Sequence, residues 1–265
     1  MNTFTNGPDR VPALSVLPLP VSAFGRTWLF SPVFAPVFTP GGHLVALELL
    51  SRVTDRDSGV SAAPEAFFSQ LPAGPLCRIL TWQLEVLALL APWCSRRALP
   101  VSVNIGRPVA IALLARETLC DAVCLLAPWL RLEVSEHFMT TGTRPEQDPL
   151  LQGLRTLAPL WLDDFGAGTT ALSGLTSGGF DAVKLDRRLF TELAGLREGI
   201  HFMQALSALA HQLGIQIVAE GVADARLAKA AAEARVDACQ GWLWPEVTLS
   251  TLTDIPDRLK EAGHV

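Results

Sequence analysis

Basic residues are outnumbered in this chain: 21 lysines and arginines stand against 26 aspartates and glutamates, a net charge of −5 at pH 7. Binding long nucleic acid calls for a basic face, so the charge balance gives no case for it. The five cysteines, Cys77, Cys94, Cys120, Cys124 and Cys239, are odd in number and scattered. Cys120 and Cys124 lie four apart with no second Cys or His pair beside them, which argues against zinc and for reduced thiols in a cytoplasmic protein. No basic start followed by a long apolar segment opens the chain, so no signal peptide is expected. The most apolar helical stretch, 80–90, is interrupted by Gln83 and Glu85, which argues against a membrane span.

Apolar residues are plentiful. They make up 49% of 265 residues, enough for one large domain near the upper limit of a single core. Residues 1–22, with Pro8, Pro12, Pro18 and Pro20, have no clear period and are expected to form a tail or extended arm. An apolar run at 28–38, broken by Pro32 and Pro36, suits an edge or first strand. The turn Thr39-Pro40-Gly41-Gly42 then leads into a strand at 44–50, making a hairpin. Further strands are expected at 101–105, 130–134, 160–164, 182–185, 215–219 and 238–240. Helices are expected at 76–93, from Pro108, at 201–213 before Gly214, and at 252–262.

After the opening hairpin, strands and helices alternate. That order predicts an α/β protein built as a (β/α)8 barrel of parallel strands with crossover helices. Such barrels gather their chemistry at the C-terminal ends of the strands. Glu48, Asn104, Glu133, Asp163, Asp164, Lys184, Glu220 and Gln240 all fall at or near those ends. Five carboxylates and an amide oxygen, without clustered histidine or cysteine, make a hard oxygen-donor site that suits Mg²⁺ or Mn²⁺. Asp163 and Asp164, adjacent on a strand, would point apart unless the strand ends there. Together they could serve two metals about 3.5–4 Å apart, a device for attacking a phosphate ester with water. Lys184 would position or deprotonate that water. An internal salt-bridge cluster at one barrel mouth is the alternative.

The motifs ELLSR (48–52), VNIG (103–106), LEVSE (132–136), DDFGAG (163–168), VKLD (183–186), AEGV (219–222) and QGWLW (240–244) resemble, in order, those of the EAL domain family. Members of that family open cyclic di-GMP to linear pGpG, and their fold is a modified TIM-type barrel whose first strand is antiparallel. The resemblance covers nearly the whole chain, and the barrel domain is expected over 23–265. It implies Glu48, Asn104, Glu133, Asp163, Asp164 and Glu220 as ligands of two Mg²⁺ or Mn²⁺ ions, with Lys184, Glu220 and Glu48 as catalytic residues. It implies Arg52 facing a substrate phosphate, Gln240 helping to hold the site, Asp186 as a further site position, and Glu136 fastening the glycine loop.

The chain departs from the family in places. Ala35, before Pro36, stands where the family has a substrate-contacting glutamine, and Leu49 replaces a small residue. The segment 67–71 lacks an acidic residue, and Thr169-Thr170 replace an aromatic and a serine. The seven tryptophans read mostly as packing, although Trp242 and Trp244 could line a guanine pocket. The implied partners are cyclic di-GMP and a second copy of the chain, meeting beside the loop that carries Leu172 and Leu175. A catalytically weak module that binds cyclic di-GMP or a regulatory protein is the alternative function.

Overall fold

The computed structural model describes residues 16–138, 144–168, 175 and 179–259. It opens with an antiparallel unit in which β1 (Leu19–Ala23) pairs with β2 (Arg26–Phe38), and β2 pairs with β3 (Leu44–Asp55) from Trp28↔Asp55 to Phe38↔Leu44. From β3 onward each strand is parallel to the last: β4 (Val101–Asn104), β5 (Leu130–Ser135), β6 (Leu160–Phe165), β7 (Ala182–Leu185), β8 (Gln216–Ala219) and β9 (Ala238–Cys239). Cys239 then pairs with Phe38, so β2 through β9 close on themselves. The fold is the modified α/β barrel with an antiparallel first strand. A short β10 (Val247–Thr248) lies along β2.

Pro32 and Pro36 sit inside β2 without breaking it, because both fall in gaps of its second ladder. There β1 reaches only to Phe30, β10 covers Val33 and Phe34, and β9 meets Phe38. A residue with no N–H costs nothing where no partner strand asks for one.

Two expectations need correction. The tail does not extend to residue 22, since Leu19–Ala23 is a strand of the sheet. The closing helix expected at 252–262 is a 3₁₀ turn, Leu249–Asp254. Pro256 pushes Ile255 out of the helical region, to φ −65 and ψ 121. The chain then runs beside the first hairpin, with Leu44 N–H donating to Asp257 O and Leu259 N–H to Gly42 O. Residues 260–262 lie outside the described residues.

The crossover segments include α1 (Pro64–Phe68), α2 (Ala73–Arg97), α3 (Arg107–Leu114), α4 (Glu117–Leu126), α5 (Pro149–Leu157), α6 (Arg187–Ala194), α7 (Arg197–Gln212) and α8 (Ala225–Glu233). Among the described residues, α2 alone has the length and apolar content to cross a membrane, and half of that window is buried inside the fold. Leu80, Leu84, Leu87, Leu90 and Trp93 form its buried face, at the three- and four-residue spacing of a helix packed on a core.

The barrel interior is layered. Val37, Ala46, Trp161, Ala182, Val218 and Ala238 make a small apolar cluster. Side chains on a strand return to the same face every second residue. Two residues further along β3, β6 and β7 and just past β8 and β9 stand Glu48, Asp163, Lys184, Glu220 and Gln240. The polar layer at the mouth is thus the next inward layer above a dry one.

Candidate active site

Lys184 is the hub. It is 1% exposed on β7, and its Nζ lies 3.1 Å from Glu48 Oε2, 3.0 Å from Glu133 Oε2, 3.2 Å from Asp163 Oδ1 and 2.8 Å from Glu220 Oε1. Glu48 is gripped further, accepting from Asn104 Nδ2 at 2.8 Å and Gln240 Nε2 at 2.7 Å. It is buried at 6% exposure and lies midway along β3, not at its end. It still reaches the mouth because β4 pairs with β3 only at Leu47 and Glu48.

Asp163 and Asp164 do converge, although the strand continues to Phe165. Asp164 adopts φ 57, the left-handed conformation, and the β6–β7 register breaks between Leu162 and Phe165. An irregularity of this kind re-aims a side chain that simple alternation would turn away. Asp163, Asp164 and Glu220 can each place an oxygen within 4.8 Å of the others.

The charges do not balance, and the pKa values shift accordingly. Burial pushes Lys184 down, but Asp163, Glu133, Glu220 and Glu48 together hold it well above the usual lysine range. Burial pushes Glu48 up, but Lys184 and the hydrogen bonds from Gln240 and Asn104 bring it below the carboxylate norm. Burial and the neighbouring Glu48 drive Glu133 well above that norm against the pull of Lys184. Burial also takes Glu220 up to about 8, despite Lys184. One ammonium cannot keep this many buried carboxylates ionised.

Two buried oxygens of the cluster, Glu133 Oε1 and Gln240 Oε1, have no hydrogen-bond partner. A salt-bridge cluster accounts for Lys184 but leaves these oxygens unexplained. An oxygen-only donor set with unsatisfied lone pairs and excess negative charge fits Mg²⁺ or Mn²⁺.

The remaining expected residues divide. Glu136, 4% exposed, accepts from Gly166 N at 3.2 Å and Gly168 N at 2.6 Å, so it ties down the loop after Asp164. A Cβ at Gly168 would lie 2.7 Å from Glu136 Oε2, so a larger residue there would displace the carboxylate that holds the loop. Arg52 is at the rim, paired with Glu246 at 3.2 Å. Ala35 faces Glu48 directly across the β2–β3 ladder, on the inward side.

Other placements are corrected. Pro36 pairs with Leu47 and therefore points to the opposite side of the sheet from Ala35, away from the mouth. Asp186 is the N-cap of α6, its Oδ1 accepting from Arg188 N and Leu189 N. Gln240 donates to Glu48 within the acidic cluster. Leu49 is buried in the main core at 1% exposure. Leu175 is fully buried within this chain, so it is not a surface contact for a second copy. Leu172, Thr169 and Thr170 lie outside the described residues. Trp244 packs on Phe38, and Trp242 lies exposed under the Arg187 guanidinium at 5.0 Å.

Beside the mouth opens a cavity of about 820 Å³ between β3, α2 and the start of α3. Two of its polar residues were not singled out as functional from the sequence, Ser51 and Gln83. The available signal was Gln83 itself, a polar residue between Leu80 and Leu84 on the apolar face of α2.

The antiparallel-first-strand barrel and its acidic mouth place the protein in a recognisable class: the EAL domain matches residues 23–246, and the chain belongs to that family. It is 30% identical over 208 residues to the cyclic di-GMP phosphodiesterase PdeH of Escherichia coli K12, covering 78% of this chain and 79% of that protein. It is 24% identical over 225 residues to the anti-FlhC(2)FlhD(4) factor YdiV of Salmonella typhimurium LT2, covering 85% of this chain and 94% of that one. The crystal structure of the EAL-like domain protein YdiV matches with a TM-score of 0.78 at 23% identity, over 86% of this chain and 96% of that one, a likeness of fold.

Proposed function

We propose that the protein is a metal-dependent phosphodiesterase that opens cyclic di-GMP to linear pGpG. The observation that carries this is the set of unsatisfied, inward-facing oxygens around Lys184. Glu48, Asn104, Glu133, Asp163, Asp164 and Glu220 would hold two Mg²⁺ or Mn²⁺ ions, whose chemistry is to lower the pKa of a bound water and to offset charge on the phosphate. Lys184, held by carboxylates on every side, keeps its proton and offers a fixed N–H donor to the attacking oxygen. Arg52 meets a substrate phosphate in place of Glu246, and Glu136 holds the loop bearing the paired aspartates. The reading includes a cytoplasmic homodimer, visible as a doubled mass in sedimentation.

Incubation of the purified protein with cyclic di-GMP and Mn²⁺ is expected to yield pGpG, and EDTA to stop it. Equal product in chelator overturns the mechanism. No product with any divalent cation shifts the weight to a second reading, a weak cyclic di-GMP binder acting on a regulatory protein. Two points favour that reading: the similarity to an anti-FlhC(2)FlhD(4) factor over 85% of this chain, and Ala35, a methyl opposite Glu48 where the family resemblance implies a glutamine.

Ala35→Gln follows from the same geometry. Because Ala35 is opposite Glu48 on the inward face, a glutamine there reaches the space over the cluster. One net hydrogen bond contributes about 0.5–1.5 kcal/mol, so KM is expected to fall about two- to tenfold with kcat little changed. An unchanged KM would remove position 35 from the substrate.

A further inference from the structure

The cavity beside the mouth has an unusual wall for a site that must read guanine. It borders Asn104 of the acidic cluster and Arg52 at the rim, which puts it next to the place a substrate phosphate would take. Its lining is mainly apolar: Leu49, Phe68, Ile79, Leu80 and Val109 give the surface that any purine ring accepts. Of its neutral polar lining, Ser51, Ser61, Ser69, Gln83 and Asn104, two side chains are buried. Ser51 is 6% exposed and its Oγ has no hydrogen-bond partner. Gln83 is 8% exposed and lines the same space from α2. Among the described residues lining the cavity, Glu246 is the one carboxylate, and it stands on the rim, 42% exposed and paired with Arg52.

Guanine presents two adjacent donors, N1–H and N2–H₂, which a carboxylate accepts best, charge-assisted and in parallel. Adenine presents a donor beside an acceptor, the pattern a carboxamide complements with its own oxygen and NH₂. A pocket that recognises its ligand mainly by apolar contact separates similar shapes by only about 10–200-fold, whereas one built around committed hydrogen bonds reaches about 10⁴–10⁵.

We propose, resting on the phosphodiesterase reading, that this cavity receives one base of the substrate and takes adenine there as well as guanine. The substrate class is then cyclic dinucleotides with a purine at that place, including the mixed guanine–adenine ring.

The test uses the full chain. Equilibrium dialysis in Ca²⁺ measures affinity for cyclic di-GMP, cyclic GMP-AMP and cyclic di-AMP, and chromatography in Mn²⁺ follows their opening. Cyclic GMP-AMP is expected to bind and react within about tenfold of cyclic di-GMP. A preference of about a thousandfold for cyclic di-GMP overturns the inference and leaves the phosphodiesterase reading standing. Failure of all three to bind overturns both. Gln83→Glu keeps the size of the side chain and replaces its donor by an acceptor. It is expected to raise the guanine-to-adenine affinity ratio about tenfold, with its melting curve checking the fold. An unchanged ratio in a folded variant removes Gln83 from the base, and the wild-type comparison stands independently of that variant.

Discussion

Lys184→Met is expected to abolish turnover and to destabilise the cation-free protein by about 3–5 kcal/mol, the usual cost of deleting one partner from a buried ionic cluster. The Lys184 ammonium is within 3.2 Å of four carboxylates and is 1% exposed, so nothing in the solvent replaces it. Methionine fills the space but leaves the negative groups facing one another. They then escape by taking up protons, so the loss should be smaller at pH 5 than at pH 8. Melting in EDTA at the two pH values measures this. An unchanged melting temperature would mean that the carboxylates are already neutral without Lys184. Glu133→Gln is the control. Glu133 is held well above the carboxylate norm by burial and by Glu48, so a neutral amide there should cost the cation-free fold little while still removing a metal ligand and activity.

The second large effect is a dependence of cation-free stability on pH, with a sign opposite to that of an ordinary paired carboxylate. Glu220 titrates at about 8 in the folded protein against a usual 4.5, because burial disfavours its charge. The folded state therefore binds the proton more tightly than the unfolded state. Its stabilising contribution is complete below about pH 4.5 and is lost as pH rises towards 8. Glu133 acts in the same direction. Glu48, shifted down, acts in the opposite direction and only on acidification below its usual range. In EDTA the melting temperature should fall between pH 5 and pH 8. Mn²⁺ should then raise it more at pH 8 than at pH 5.5, because the cation supplies the charge that the departing protons no longer do. A melting temperature in EDTA that rises across this window would contradict the burial of Glu220 as the controlling effect.

Much of this site was legible in the chain, because a strand's two-residue period is a local property. The small residues Ala46, Ala182 and Ala238 are each followed two positions later by Glu48, Lys184 and Gln240, and Trp161 and Val218 by Asp163 and Glu220. A dry layer with a polar layer above it can be read from that spacing once the strands are recognised. The alternation of strands with helices likewise carries the barrel, and Thr39-Pro40-Gly41-Gly42 carries the reversal of its first strand.

What required the tertiary structure is what depends on residues far apart in sequence. Asp163 and Asp164 converge only because the chain at Asp164 takes a left-handed φ of 57, a conformation that the register with β7 sustains and no local propensity demands. Asp186 looks like a site residue by motif, and only the structure shows that its Oδ1 also caps the N-terminus of α6, where backbone N–H groups lack helical partners. The segment near Asp257 reads as helix by composition, but the open backbone of the first hairpin and Pro256 draw it into an extended path. The cavity is the clearest case. Ser51 lies on β3 and Gln83 on α2, and their facing follows from how that helix packs across the strand. Sequence by itself determined the layers and the donors, because alternation along a strand is local. Which oxygens meet, and what the neighbouring pocket presents to a base, was decided only when distant elements closed around the same space.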